Sequence, residues 1–138
     1  MIRVIIADDH PVVIQGIRQI LSGTEDIRLT GEALSGSQLI RKLEEDRYDL
    51  VLLDISMPGE NGLEVLRRLK DRFPDLPVLM LSMHPDEEYA CRTVKAGASG
   101  YLNKASVPDD LIFAIRTVSG GATYLKEGLA EAAAERGG

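Results

Sequence analysis

The chain has 138 residues, a size suited to one domain, and 44% of them are hydrophobic, which allows a core and argues against disorder. Its formal charge of -6, with no block of Lys and Arg, argues against tight binding to nucleic-acid phosphates through this chain. No apolar run approaches the ~18 residues of a membrane span, and the single cysteine, Cys91, excludes internal disulfides and multi-cysteine metal sites.

The first apolar run, IRVIIA (2–7), passes into Asp8-Asp9 without the long apolar core and cleavage site of a secretory leader. A cytoplasmic, reduced protein is the simplest expectation. Pro11 suits a first helical turn, with the Asp9-His10 pair before it as the cap, and Val13, Ile17, Ile20 and Leu21 repeat with helical spacing. A second run, IRLTGEA (27–33), leads to Leu39, Ile40 and Leu43 at helical spacing. The third, DLVLLD (49–54), ends in Asp54 and a turn at Met57-Pro58-Gly59, before Leu66, Leu69 and Phe73. Arg67, Arg68, Lys70 and Arg72 are interleaved with these apolar residues and read as the solvated side of that helix. The fourth run, PVLMLS (77–82), ends in Ser82 and precedes a helix over Asp86 to Gly97, with Ala90, Val94 and Gly97 as its apolar face. The fifth, SGYLN (99–103), meets Lys104, and Leu111, Ile115 and Val118 follow.

Five strands alternating with five helices predict an α/β fold: a parallel sheet with helices on both faces. VIIA, LVLL and VLML are continuous rather than alternating, as strands buried on both sides are. At Gly120-Gly121 the pattern breaks. ATYL (122–125) can pack back, whereas LKEGLAEAAAERGG is Ala/Glu-rich and reads as the start of a linker.

Ligands of open parallel sheets bind beyond the carboxyl ends of the strands, where strand order reverses. Asp8, Asp9, Asp54, Ser82 and Lys104 all fall at that edge. Singly, each has an ordinary reading as a helix cap, an Asx turn or a solvated ammonium. Together, three carboxylates in one crevice repel unless a cation lies between them. Oxygen donors alone suit a hard ion, Mg²⁺ above all. Such a site, with a nucleophilic carboxylate, a hydroxyl and an ammonium, is equipped for phosphoryl transfer.

ADDHP, LVLLDISMPGENG, VLMLS and GYLNK, in this order and near this spacing over about residues 2–119, resemble the receiver domain of bacterial two-component response regulators. The resemblance implies a flavodoxin-like sheet of order 2-1-3-4-5. It also implies that Asp54 accepts a phosphoryl group from a sensor histidine kinase. Asp9, Asp54 and the Ser56 backbone carbonyl would hold Mg²⁺, with Asp8 acting through water. Lys104 would pair with the phosphoryl oxygens, Ser82 would hydrogen-bond to one of them, and Tyr101 would be the aromatic that changes position. Receivers commonly follow the lysine with proline. Here Ala105-Ser106 follows, and this with DDHP and GGATYL resembles the LuxR-type (NarL/FixJ-like) subfamily, whose output is a helix-turn-helix. On this reading residues 1–119 are the receiver and 120–138 a linker, with the output domain absent. The implied partners are the kinase, a second receiver on phosphorylation, and DNA only through the output domain.

Other readings fit less well. A haloacid-dehalogenase-type phosphohydrolase needs an acid two positions after its nucleophile, where Ser56 stands. A nucleotide-binding loop would not carry the charge of DDHP. A triad of Ser82, His84 and an aspartate lacks the glycines of a nucleophile elbow. His10 and His84 receive no catalytic role. A phosphorylation-independent scaffold would be expected to lack an acid or the lysine, and this chain keeps both.

Overall fold

The computed structural model of the chain describes residues 1–57, 59–83 and 87–125. Pro58, His84, Asp86 and residues 126–138 of the expected linker lie outside the described residues. The strands are β1 (Ile2–Ala7), β2 (Ile27–Ala33), β3 (Leu50–Asp54), β4 (Val78–Ser82) and β5 (Gly100–Asn103). The helices are α1 (Pro11–Ser22), α2 (Gly36–Glu45), α3 (Gly62–Arg72), α4 (Glu87–Lys95) and α5 (Val107–Ser119), with a short 3-10 turn at Lys104–Ser106. All strand pairs are parallel, in the order β2-β1-β3-β4-β5. The expected α/β architecture and strand order are both present.

Alternation along each strand divides the core in two. Ile5, Ala7, Val51, Leu53, Val78, Met80 and Tyr101 face the layer of α2, α3 and α4. Val4, Ile6, Leu50, Leu52, Leu79, Leu81 and Leu102 face α1 and α5. Every residue of β3 and β4 is buried, so LVLL and VLML are apolar without interruption up to the terminal Asp54 and Ser82. Burying one such Leu or Ile stabilises by about 2 kcal/mol. A row of them can hold a costly carboxylate at its end.

Local chemistry sets the helix starts. Pro11 opens α1, as its fixed φ and missing N–H favour. The expected Asp9-His10 cap is absent: His10 is the N-cap residue, but no side chain closes the turn. Asp8 Oδ1 accepts from the His10 N–H instead, at 2.8 Å. Ser35 caps α2 by accepting from the Gln38 N–H at 3.1 Å, and Asn61 caps α3 by accepting from Leu63 at 2.9 Å.

The buried face of α4 differs from its sequence pattern. Ala90, Cys91 and Thr93 are buried, Val94 is half-buried and Gly97 is exposed. The Thr93 hydroxyl can enter the core because it donates to the Ala90 carbonyl at 2.9 Å. Gly97, with φ 108, forms the left-handed turn that leads to β5.

Residues 122–125 do pack back. The Tyr124 N–H donates to the Ser99 carbonyl at 2.9 Å, and the Tyr124 carbonyl accepts from Tyr101 at 3.2 Å. The Tyr124 ring meets Phe113 edge-on at 6.1 Å. Gly100 permits this approach: a Cβ there would stand 2.6 Å from the Tyr124 carbonyl oxygen.

Candidate functional site

Strand order reverses between β1 and β3, and register aligns their ends. Ala7 pairs with Leu53, Asp54 with Leu81, and Ser82 with Asn103. Asp8, which follows Ala7, therefore stands beside Asp54. Ser82 lies one position beyond the level of Asp54, and Lys104 follows the end of β5. The Asn103 side chain accepts from the Ala105 N–H at 2.9 Å and so shapes the turn that carries Lys104. The peptide bond after Lys104 is trans.

Asp8 and Asp54 are both 0% exposed. Two buried carboxylates side by side require a counter-charge, and Lys104 supplies it. Its Nζ lies 3.0 Å from Asp8 Oδ2 and 3.2 Å from Asp54 Oδ1. Asp54 Oδ1 also accepts from the Ser56 N–H at 3.1 Å, which closes an Asx turn at the strand end. The turn and the ion pair thus coexist at one residue. Burial pushes the Asp54 carboxyl above the ordinary carboxylate value, and the Asp8 charge adds to the rise. The Ser56 N–H and the Lys104 ammonium oppose it.

The sequence-predicted residues are placed unequally. Asp8, Asp9, Asp54 and Lys104 converge. Ser82 is buried at the same edge, and Ser56 borders Asp54 through its backbone. Tyr101 lies on β5 at 1% exposure, within the core under α2, α3 and α4, and is more deeply buried than an ordinary half-buried aromatic. Two further contributors emerge. Glu60 accepts from the Gly36 N–H and so ties the loop after β3 to the start of α2. His10 turns its ring into the acidic group, with Nδ1 2.9 Å from Asp8 Oδ1, 3.1 Å from Asp9 Oδ1 and 3.9 Å from Asp54 Oδ2. Its only signal in the sequence is its position between Asp9 and Pro11.

Donor atoms of Asp8, Asp9, His10 and Asp54 lie within 4.8 Å of one another. Asp54 Oδ2 is buried without a hydrogen-bond donor among the described residues, whereas Asp8 Oδ2 faces Lys104 Nζ at 3.0 Å and Asp9 Oδ1 faces His10 Nδ1 at 3.1 Å. Carboxylate oxygens gathered from three positions, one of them buried with no donor of its own, are a donor set suited to a hard divalent cation.

The sequence matches the family model for the response regulator receiver domain over residues 4–116. Oxygen regulatory protein NreC of Staphylococcus epidermidis is 43% identical over 124 residues, which cover 89% of this chain and 57% of that protein. The chain therefore spans little more than half the length of this curated relative. A LuxR-family two-component response regulator from Aurantimonas superposes with a TM-score of 0.88 at 30% identity, over 97% of this chain and 96% of that one. The Salmonella typhimurium RcsB response regulator, solved for its interaction with DNA, superposes with a TM-score of 0.90 at 29% identity, over 96% of this chain and 69% of that one.

Proposed function

The chain belongs to the response regulator receiver domain family, and from that premise we propose that Asp54 is the phosphoacceptor of a two-component switch, with a sensor histidine kinase as donor. The observation that carries the reading is the buried Asp54 carboxylate at the sheet's switch point. Its Oδ1 is held by Lys104 and Ser56, while Oδ2 is left without a donor among the described residues.

In the proposed transfer an Asp54 oxygen attacks the phosphorus of a phosphohistidine. The O–P bond forms, the P–N bond breaks and the imidazole leaves. Lys104, already within reach of Asp54, neutralises charge on the phosphoryl oxygens, and the Ser82 hydroxyl donates to one of them. Asp9, Asp54 and the Ser56 carbonyl would hold Mg²⁺, with Asp8 acting through water. When bound, the ion supplies positive charge at the transferring phosphoryl group. Fixation of the phosphoryl group draws the Ser82 hydroxyl inward and shifts Lys104 from its present contacts with Asp8 and Asp54 onto the phosphoryl oxygens. Lys104 follows directly on β5, so the strand that carries Tyr101 moves with it and biases a two-state surface.

The domain acts as a switch whose chemistry is confined to its own phosphorylation and dephosphorylation. Ser56, at the place of the acid/base of a haloacid-dehalogenase-type phosphohydrolase, leaves that alternative unsupported. In the whole protein the switch would control a DNA-binding helix-turn-helix. Phosphorylation would pair two receivers to match two-fold DNA half-sites. No helix among the described residues is long and apolar enough to cross a membrane, and we place the switch in the cytoplasm with its kinase's catalytic region.

Acetyl phosphate with Mg²⁺ should add one phosphoryl group per chain, detected by intact mass. Asp54→Asn should abolish it, and Asp9→Ala should remove Mg²⁺ binding and labelling together. Equal labelling of Asp54→Asn would refute the assignment. An unlabelled parent would favour the scaffold reading.

A further inference from the structure

Lys104 and His10 divide the buried carboxylates between them. Lys104 Nζ takes Asp8 Oδ2 and Asp54 Oδ1. His10 Nδ1 faces the opposite oxygens, Asp8 Oδ1 and Asp54 Oδ2, together with Asp9 Oδ1. The ammonium thus lies to one side of the acidic group, and the imidazole marks a second, separate place for positive charge.

On the imidazole side, two of the three spacings are close to those of a coordination sphere. With metal–ligand bonds of about 2.1 Å, neighbouring donor atoms stand roughly 3.0–3.4 Å apart. Nδ1 lies 2.9 and 3.1 Å from the Asp8 and Asp9 oxygens, the first of these a hydrogen bond that a bound cation would replace, and 3.9 Å from Asp54 Oδ2, which would close by about half an ångström on binding. Asp54 Oδ2 is fully buried and receives no hydrogen bond among the described residues, so an acceptor is already aimed at this place. The backbone helps to hold the ring there. Asp8 Oδ1 binds the His10 N–H at 2.8 Å, and Pro11 begins α1 directly after it.

We propose that His10 is a ligand of the acidic site through Nδ1, so that Asp8, Asp9, Asp54 and His10 together bind a divalent first-row transition cation more tightly than Mg²⁺. The inference rests on the reading of the acidic cluster as a cation site. Mg²⁺ takes oxygen donors and gains little from an imidazole, whereas Mn²⁺, Co²⁺, Ni²⁺ and Zn²⁺ gain a nitrogen ligand suited to them. His10 therefore sets which cation the switch carries when several compete, and the carboxylates alone suffice for Mg²⁺.

Co²⁺ is a suitable probe, because its visible absorption reports ligand type and its paramagnetism displaces the ring protons of a coordinated histidine. The metal-free chain is titrated with Mg²⁺ and with Co²⁺, as parent, His10→Gln and Asp9→Ala. Glutamine keeps bulk and hydrogen-bonding capacity but lacks the imidazole nitrogen. His10→Gln should weaken Co²⁺ by ~10-fold or more and change Mg²⁺ by less than about threefold. Parent protein saturated with Co²⁺ should show strongly displaced imidazole resonances. The chain has two histidines, so the signals lost in His10→Gln identify the ligand. Equal Co²⁺ affinity in parent and His10→Gln, or undisplaced His10 resonances at saturation, would show an ion pair only and overturn the proposal. If Asp9→Ala weakens neither ion, the cation-site reading fails and the proposal falls with it. If Asp9→Ala weakens both while His10→Gln spares Co²⁺, the proposal alone fails.

Discussion

Lys104→Met tests the electrostatics of the site most directly. The side chain is 6% exposed and its Nζ lies 3.0 and 3.2 Å from two fully buried carboxylates. At an effective dielectric of about 20, each contact is worth ~5 kcal/mol of Coulomb energy. Desolvation of the ammonium offsets much of this, and removing one partner of a buried pair leaves a net loss of about 3–5 kcal/mol. For a chain of this size the melting temperature should fall by roughly 10–15 °C. Methionine fills the space, so the loss measures charge rather than a cavity.

The loss should depend on pH and on Mg²⁺. The Asp54 carboxyl is raised above its unfolded value, so the native state binds that proton more tightly than the unfolded chain does. Ionised Asp54 therefore destabilises the fold as pH rises from the unfolded carboxylate range through the raised native value. Loss of Lys104 removes one of the influences that oppose the rise. The deficit of Lys104→Met should be largest near neutral pH in chelator and should shrink as pH falls through that window. Adding Asp54→Asn to Lys104→Met should recover part of it, and Mg²⁺ should raise the variant's melting temperature more than the parent's. Urea unfolding with and without Mg²⁺ measures all of this. A variant within about 1 kcal/mol of the parent in chelator, or equal Mg²⁺ shifts in both, would refute the reasoning.

Gly100→Ala places a Cβ 2.6 Å from the Tyr124 carbonyl oxygen and 2.9 Å from Leu79 Cδ1, and should cost about 1–3 kcal/mol. Amide exchange at Tyr101 and Tyr124 should quicken more than at Leu52 and Leu53 in the sheet centre. Arg116 donates two hydrogen bonds to Asp26, at 2.9 and 3.0 Å, and this pairing is the main cause that lowers the Asp26 carboxyl. Arg116→Gln should return Asp26 towards the ordinary value in an NMR titration, and an unmoved titration would contradict the assignment. Beryllofluoride, a phosphoryl mimic, should raise the dimer fraction in analytical ultracentrifugation, and Asp54→Asn should block the rise. A persistent monomer in both states would favour a receiver that masks its output domain instead.

Strand and helix order and the convergence of Asp8, Asp9, Asp54 and Lys104 on one edge were legible in the sequence because they follow from local pattern, whereas the strand order β2-β1-β3-β4-β5 was expected only through the resemblance to receiver domains. A strand buried on both faces must be apolar along its length, so LVLL and VLML announce their own ends, and the polar residue after each run lies at the ligand-binding edge. Which atoms meet there is a different matter. Lys104 takes one oxygen each from Asp8 and Asp54 while His10 turns to the other pair, because the end of β5 and the start of α1 approach β3 from opposite sides. A lone histidine after two acids carries no periodic signal of that contact. The same limit applies to α4, whose core face is Ala90, Cys91 and Thr93 because a backbone carbonyl satisfies the threonine hydroxyl. It applies also to Tyr124, held by hydrogen bonds to Ser99 and Tyr101, more than twenty residues away. Periodicity is written between neighbours in the chain. Pairing between distant side chains is decided only when the sheet brings them together.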